Sequence, residues 1–256
     1  MKLDDYARFA CRLADAARVE TLGRARDAGP STNKAEAGEW DPVTEADVAA
    51  ERVMRTMIRD TYPDHGIAGE EMGDRPSANG LSWSLDPIDG TRSFVCGLPT
   101  WTTLIALVDH GEPVLGIIDA PRLNERYVGF GITATLNGEA LATSGCTSLG
   151  EARLASTDPG LFTGTDADAF ARVRAAARVV RYGHDGYAYA RLAAGTIDVV
   201  VEAGLKPFDL MALVPVVRGA GGVIGDWCGG EDWAGGRVVA AATRALFDEV
   251  VKCGHR

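Results

Sequence analysis

Two aspartates three residues apart, Asp86 and Asp89, flank Pro87 and Ile88 in the stretch Trp83-Ser-Leu-Asp-Pro-Ile-Asp-Gly-Thr91. The apolar, strand-like lead-in must bend just after Asp86, because Pro87 fixes its own φ and removes a backbone donor. That bend can bring both carboxylates to one side, with the Ile88 carbonyl between them. Two anionic side chains and a carbonyl so close together suit Mg²⁺ or Mn²⁺, which take oxygen ligands. Gly90 and Thr91 follow at once with a permissive backbone, N–H groups and a hydroxyl, a set able to hold a phosphate against the metal. The chemistry expected is metal-dependent phosphate ester hydrolysis. Asp-Pro and Asp-Gly are also ordinary turn formers, so the turn alone is open to a purely structural reading.

Composition narrows the field. A chain of 256 residues buries a substantial core, as one large domain or two intimately packed halves. With 46% hydrophobic and 24% charged residues it has ordinary soluble composition. A net charge of −10 argues against a nucleic-acid partner, and it admits a phosphorylated substrate only where bound cations invert the local field. The five cysteines are scattered without a Cys-x-x-Cys pair, and the four histidines lack metal-ligand spacing. Reduced thiols in a cytoplasm are expected. No signal peptide and no membrane-length apolar run is seen, so no membrane partner is expected.

The elements that must position the acids follow from periodicity. Residues 3–20 place Leu3, Tyr6, Ala10, Leu13 and Ala17 on one helical face. A polar loop at Gly29–Gly38 leads to Thr44 and Asp47, which resemble a capping box opening a second helix through Val53, Met54, Met57 and Ile58. Asp47 is therefore either a cap residue or part of the site. Residues 65–71 read as a short strand ending on Glu70 and Glu71, and 101–109, 114–119 and 126–130 as further strands. The loop from Asn137 to Gly150 is the expected boundary between a 1–138 half and a 139–256 half of one compact unit. Beyond it, strands at 153–156, 178–182, 197–202 and 222–227 alternate with helices at 166–177, 187–194, 209–218 and from 243, with Pro215 kinking or dividing the third helix. Gly219-Ala-Gly-Gly follows a helix, so it is read as a helix end that permits close packing, not a dinucleotide loop.

Glu70, the Asp86/Asp89 turn, Glu202 and Asp209 each stand where a strand gives way to a turn or a helix begins, positions whose side chains commonly meet in one cleft. Asp209 reads equally as a helix N-cap. Four signatures decide the matter: Asp41-Pro-Val-Thr44-Glu-Ala-Asp47, Gly69-Glu70-Glu71, Leu85-Asp86-Pro-Ile88-Asp89-Gly90-Thr91, and Pro207-Phe208-Asp209 followed by Gly219-Ala-Gly-Gly. In order and spacing they resemble the lithium-sensitive inositol monophosphatase-like phosphatases over nearly the whole chain. Within that family, Arg92-Ser-Phe94, Gly97-Leu-Pro-Thr-Trp101, Tyr187-Ala-Tyr189 and Ala212-Leu-Val-Pro-Val-Val resemble the histidinol-phosphate phosphatases.

The resemblance implies a layered αβαβα sandwich of mixed α+β and α/β character, a homodimer, and two or three Mg²⁺ ions, with Li⁺ inhibitory. It implies that Glu70, Asp86 and the Ile88 carbonyl hold one Mg²⁺, and Asp86, Asp89 and Asp209 the second. Gly90 and Thr91 would hold phosphate oxygens, and the Thr91 hydroxyl would also face the attacking water. In two-metal chemistry one cation lowers the pKa of a water, both neutralise the phosphate, and the second stabilises the departing alkoxide. Glu71 and Asp47, acting through Thr44 or Thr91, would position that water. Glu202 would face the leaving group with Asp185 near it, and two carboxylates there suit the ammonium of histidinol phosphate better than a polyol. Asp185 is otherwise a solvent-exposed loop residue. Hydrolysis of inositol, sugar or nucleotide phosphates on the same centre is the alternative, as is a regulatory binding protein without turnover.

Overall fold

Two mixed sheets and eight helices are stacked in five layers in the computed structural model, which describes residues 3–25, 32–33 and 42–255. Most of the Gly29–Gly38 loop, and Asp41, lie outside the described residues. Helix α1 (Leu3–Arg24) presents Phe9, Ala10, Leu13 and Ala17 to the interior. A two-residue ladder joins β1 (Thr32–Asn33) to β2 (Pro42–Val43). Helix α2 (Glu45–Thr61) begins as its sequence requires: Thr44 caps it, and Asp47 reaches back to the Thr44 N–H at 2.9 Å. Together α1 and α2 form the first layer.

The second layer is a seven-stranded sheet. Its strands β3 (Gly66–Gly69), β4 (Leu81–Asp89), β5 (Thr102–Asp109), β6 (Glu112–Ala120), β7 (Glu125–Phe130), β8 (Thr133–Leu136) and β9 (Glu139–Ala140) lie in chain order. Only β3 and β4 run parallel; every later pair is antiparallel. A five-residue helix, α3 (Thr91–Val95), leaves the end of β4.

The second sheet is built from β10 (Arg153–Ser156), β11 (Val179–Tyr182), β12 (Val199–Glu202), β13 (Val223–Asp226) and β14 (Val238–Ala241), in spatial order β11-β10-β12-β14-β13. Between the sheets lie α5 (Asp185–Ala193) and α7 (Leu213–Gly219), with α6 (Pro207–Leu210) just ahead of the latter. Helices α4 (Thr165–Ala176) and α8 (Arg244–Gly254) cover the outer face of the second sheet.

The layering is written into the strands' two-residue period. On β5, Leu104, Ala106 and Val108 face the core between the sheets, while Ile105 and Leu107 face α1 and α2. On β14, Val238 and Ala240 face inward, and Val239 and Ala241 face α4 and α8. Each fully buried Leu, Ile, Val or Phe contributes about 1.5–3 kcal/mol, so three such interfaces fix the sandwich.

Differences from the sequence reading have local causes. Strand β14 escapes it because Val-Val-Ala-Ala, buried on both faces, shows no alternation. Strands β8 and β9 and helix α3 are too short to carry a periodic signal. The helix expected at 209–218 is divided into α6 and α7; Pro215 is the third residue of α7, where its missing N–H costs nothing. At Gly219 a Cβ would meet the Thr133 carbonyl oxygen at 2.3 Å, so the Gly-rich stretch serves the close approach of α7 to β8.

Candidate active site

Strand β4 is irregular where it carries its acids. Asp86 pairs with Leu104 of β5, and Asp89 pairs with Thr102, so β4 spends one residue more than its partner between these pairs. In a regular strand, residues three apart point to opposite faces; the bulge restores Asp86 and Asp89 to the same face. Pro87 sits inside the bulge, where a missing ladder donor is tolerated, and Thr103 Oγ1 donates to its carbonyl at 2.7 Å. The Asp-Pro-Ile-Asp spacing is thereby converted into convergent carboxylates.

Asp209 comes from the opposite side of the cleft. It is the third residue of α6, and its Oδ2 accepts the Lys206 N–H at 2.7 Å. It is thus a cap-type residue and a cleft residue at once. Carboxylate oxygens of Asp86, Asp89 and Asp209 lie within 4.8 Å of one another. Burial, and then the charges of Glu70, Asp89 and Asp209, push the Asp86 carboxyl far above the usual range. Burial, then Asp185 and Asp209, do the same to Asp89. Asp209 rises to about 7, chiefly through burial, although the Lys206 N–H opposes the rise. Three acids held this close cannot all ionise without a cation among them.

Glu70 follows β3 directly, and its N–H donates to the Leu85 carbonyl at 3.2 Å, which ties it to β4. Beneath it lies Glu51 of α2, fully buried. The Glu51 carboxylate accepts the N–H groups of Glu71 at 2.8 Å and Met72 at 3.1 Å, and pairs with Arg55 at 2.8 Å. These bonds clamp the turn that presents Glu70.

Beyond the bulge, Gly90 adopts φ 81°, and a Cβ there would meet Asp185 Oδ2 at 2.8 Å. Asp185 is the half-buried first residue of α5 with φ 45°; burial raises its carboxyl to about 6 against the pull of Arg92. The alternative reading of Asp185 as a solvent-exposed loop residue is therefore not met. Thr91 Oγ1 donates to the Ile88 carbonyl at 3.0 Å. At the end of β12, Glu202 is wholly buried; its Oε1 accepts from Thr157 N at 2.8 Å and Thr157 Oγ1 at 2.9 Å, while Oε2 makes no hydrogen bond and the likewise unpartnered Ser156 hydroxyl lies beside the carboxylate. Burial lifts its carboxyl to about 8.

One cleft of about 210 Å³ joins these groups. Glu70, Asp86, Ile88, Asp89, Gly90, Thr91, Asp185, Glu202 and Asp209, nine positions singled out in the sequence, all line it. Asp47 and Glu71 are not among the lining residues. Asp47 is fully buried, with Oδ2 accepting the Thr44 hydroxyl at 2.5 Å, and the Glu71 N–H is held by Glu51. Sequence reasoning missed Glu51, Thr102, Thr157 and Gly186, and met Tyr189 only within the Tyr187-Ala-Tyr189 motif, without a place in the cleft. A signal for Glu51 exists: Asp47, Glu51, Met54 and Ile58 share one helical stripe, so two acids lie on a face otherwise committed to the core.

Residues 2–254 match the model of the inositol monophosphatase family. The chain is 45% identical over 231 residues to the chloroplastic bifunctional phosphatase IMPL2 of Arabidopsis thaliana, covering 89% of this chain and 66% of that protein, just under two thirds of its length. It is 36% identical to a histidinol-phosphatase of Mycobacterium tuberculosis, over 98% of both chains. Among solved structures, an inositol monophosphatase from Zymomonas mobilis superposes with a TM-score of 0.89 at 40% identity, covering all of both chains.

Proposed function

The chain belongs to the inositol monophosphatase family of phosphatases, and from that premise we propose that it hydrolyses L-histidinol phosphate to L-histidinol and phosphate with Mg²⁺ as cofactor. The donor set fits such an ion. Every group offered is a hard oxygen, and Asp86 Oδ1 is buried with no hydrogen-bond partner, an orphan that a cation satisfies. Glu70, Asp86 and the Ile88 carbonyl would hold one Mg²⁺, and Asp86, Asp89 and Asp209 a second; Mn²⁺ suits the same oxygens. When bound, the ions supply charge neutralisation for the phosphate and acidity to the attacking water.

The chain's own groups complete the site. In this reading the Gly90 and Thr91 N–H groups, at the start of α3, take phosphate oxygens. Because the Thr91 hydroxyl gives its proton to the Ile88 carbonyl, its oxygen lone pairs are left to orient water. Asp47 holds Thr44 and the start of α2, and Glu71 extends the turn that carries Glu70; in this reading both act on the water only through those neighbours.

The leaving-group end carries the substrate assignment. Glu202 is enclosed with one oxygen unpartnered, and Asp185 faces the same cleft. An ammonium supplies both the missing donor and the charge that lets two buried acids ionise. A polyol supplies donors without charge. The 40% identity to an inositol monophosphatase structure supports the second reading, inositol or sugar phosphate hydrolysis on the same centre. Phosphate release from histidinol phosphate, inositol 1-phosphate, fructose 1,6-bisphosphate and adenosine 3′,5′-bisphosphate, with Mg²⁺ and with chelator, separates these. Highest kcat/KM on histidinol phosphate is expected. Preference for a polyol phosphate would replace the assignment, and no magnesium-dependent turnover on any of them would favour a regulatory role.

A further inference from the structure

Tyr189 lies four residues after Asp185 on α5, one turn along the same helical face. Its ring is packed in the core between the sheets, yet the residue also lines the cleft. The side chain is 1% exposed, and its hydroxyl has no hydrogen-bond partner. Phenylalanine would fill the same space without enclosing an unsatisfied hydroxyl, so packing alone does not account for tyrosine here. Glu202, Asp89 and Asp209 line the same cleft, and their charges, after burial, raise the pKa of that hydroxyl. Glu202 contributes a second enclosed orphan, Oε2, to the same cleft.

We propose that Tyr189 is a specificity-determining residue, its hydroxyl and Glu202 Oε2 together receiving the ammonium of an amino-alcohol phosphate beside the ester carbon. The inference rests on the phosphatase reading above and deepens it. An ammonium has three donors and no acceptor. It gives one N–H to Glu202 Oε2 and one to the phenol oxygen. The third reaches Asp185. A substrate lacking the amine leaves both orphans unsatisfied, and sites of that kind discriminate strongly.

The test compares histidinol phosphate with its deamino analogue, imidazolylpropyl phosphate, for wild type, Tyr189→Phe and Glu202→Gln. Wild type is expected to prefer histidinol phosphate, and each variant to lower the ratio of the two kcat/KM values about tenfold, mainly through KM. Melting temperature and circular dichroism identify a variant that fails to fold, in which case the other carries the comparison. A wild-type preference kept within twofold by Tyr189→Phe overturns the role of Tyr189 and leaves the substrate assignment standing. Equal loss on both substrates overturns it too, because a merely structural role would do the same. Wild type that turns over both substrates equally, or neither, overturns the ammonium assignment itself.

Discussion

The backbone N–H of Gly186 donates to Asp89 Oδ2 over 2.7 Å, and a Cβ on Gly186 would stand 2.6 Å from that same oxygen. The first turn of α5, an element from between the sheets, thereby aims a carboxylate of the β4 bulge. Thr102 Oγ1 donates to the same oxygen at 2.8 Å, leaving Oδ1 of Asp89 for the cleft. Gly186→Ala is expected to push α5 off Asp89 and lower kcat/KM by about 100-fold, the order associated with an ångström of misplacement. Steady-state kinetics with circular dichroism as the folding control checks it; activity within threefold of wild type would show that this contact does not matter.

Glu51 is the residue on which the position of Glu70 depends. Its carboxylate takes the N–H groups of Glu71 and Met72, and Gly69 comes so close that a Cβ there would overlap Glu51 Oε1 at 2.2 Å. Replacement by glutamine keeps the size and loses the charged acceptor. Glu51→Gln is expected to raise the Mg²⁺ concentration needed for half-maximal activity about 10-fold, in line with the cost of losing a group that orients a metal ligand. A magnesium titration at saturating substrate reads this directly, with direct Mn²⁺ binding as an independent measure.

The sequence was most legible where geometry is local. The Thr44–Asp47 cap, the α1 stripe and the Asp-Pro-Ile-Asp-Gly-Thr turn each depend on residues within a few positions of one another. The ambiguity at Asp209 dissolves because one carboxylate has two oxygens, and cap and cleft use the side chain together. What stayed hidden was made by long-range contact. Gly186 matters only because α5 begins against β4, and Thr157 only because β10 and β12 are neighbours. Glu51 was hidden by its company, since an acid in an amphipathic helix is assumed to face water until the stripe is counted.

Asp86→Asn separates stability from function at one atom. Asp86 is buried beside Glu70, Asp89 and Asp209, whose charges raise its pKa after burial. Asparagine keeps the shape and removes the cost of holding a carboxyl protonated among other acids, so the chelator-treated variant is expected to melt higher than chelator-treated wild type. Magnesium should lose most of its stabilising effect, and kcat should fall by at least about 1,000-fold, as for loss of a group central to transition-state electrostatics. Differential scanning calorimetry with and without Mg²⁺ gives both numbers; unchanged magnesium stabilisation would remove Asp86 from the ligand set.

Asp185→Asn tests the mouth of the leaving-group end. The side chain is half-buried, close against Gly90, and within reach of the Arg92 charge. Losing one carboxylate opposite an ammonium should raise KM for histidinol phosphate about 10-fold, equivalent to about 1.4 kcal/mol, with little change in kcat. An unchanged KM would assign Asp185 to holding α5 in place.

The pH dependence of the metal-free protein follows from the same acids. Burial raises Asp185 to about 6, Asp209 to about 7 and Glu202 to about 8, from ordinary values of 3.8, 3.8 and 4.5. The folded state thus keeps protons that the unfolded chain has already released. Stability from this source is fully present below the ordinary carboxyl values and is lost as pH rises through 6 to 8. His65 runs the other way, since burial lowers its pKa and its Nδ1 accepts the Trp83 N–H at 3.1 Å, but above its ordinary 6.5 it is neutral in both states. Between pH 6.5 and 8.5 the chelator-treated protein should therefore melt progressively lower. Magnesium binds the ionised acids, so its stabilisation should grow over the same interval. The gap between the two melting curves is then narrow at pH 6.5 and wide at pH 8.5. A gap that stays constant across those two pH units would mean that the ion does not take its place among these carboxylates.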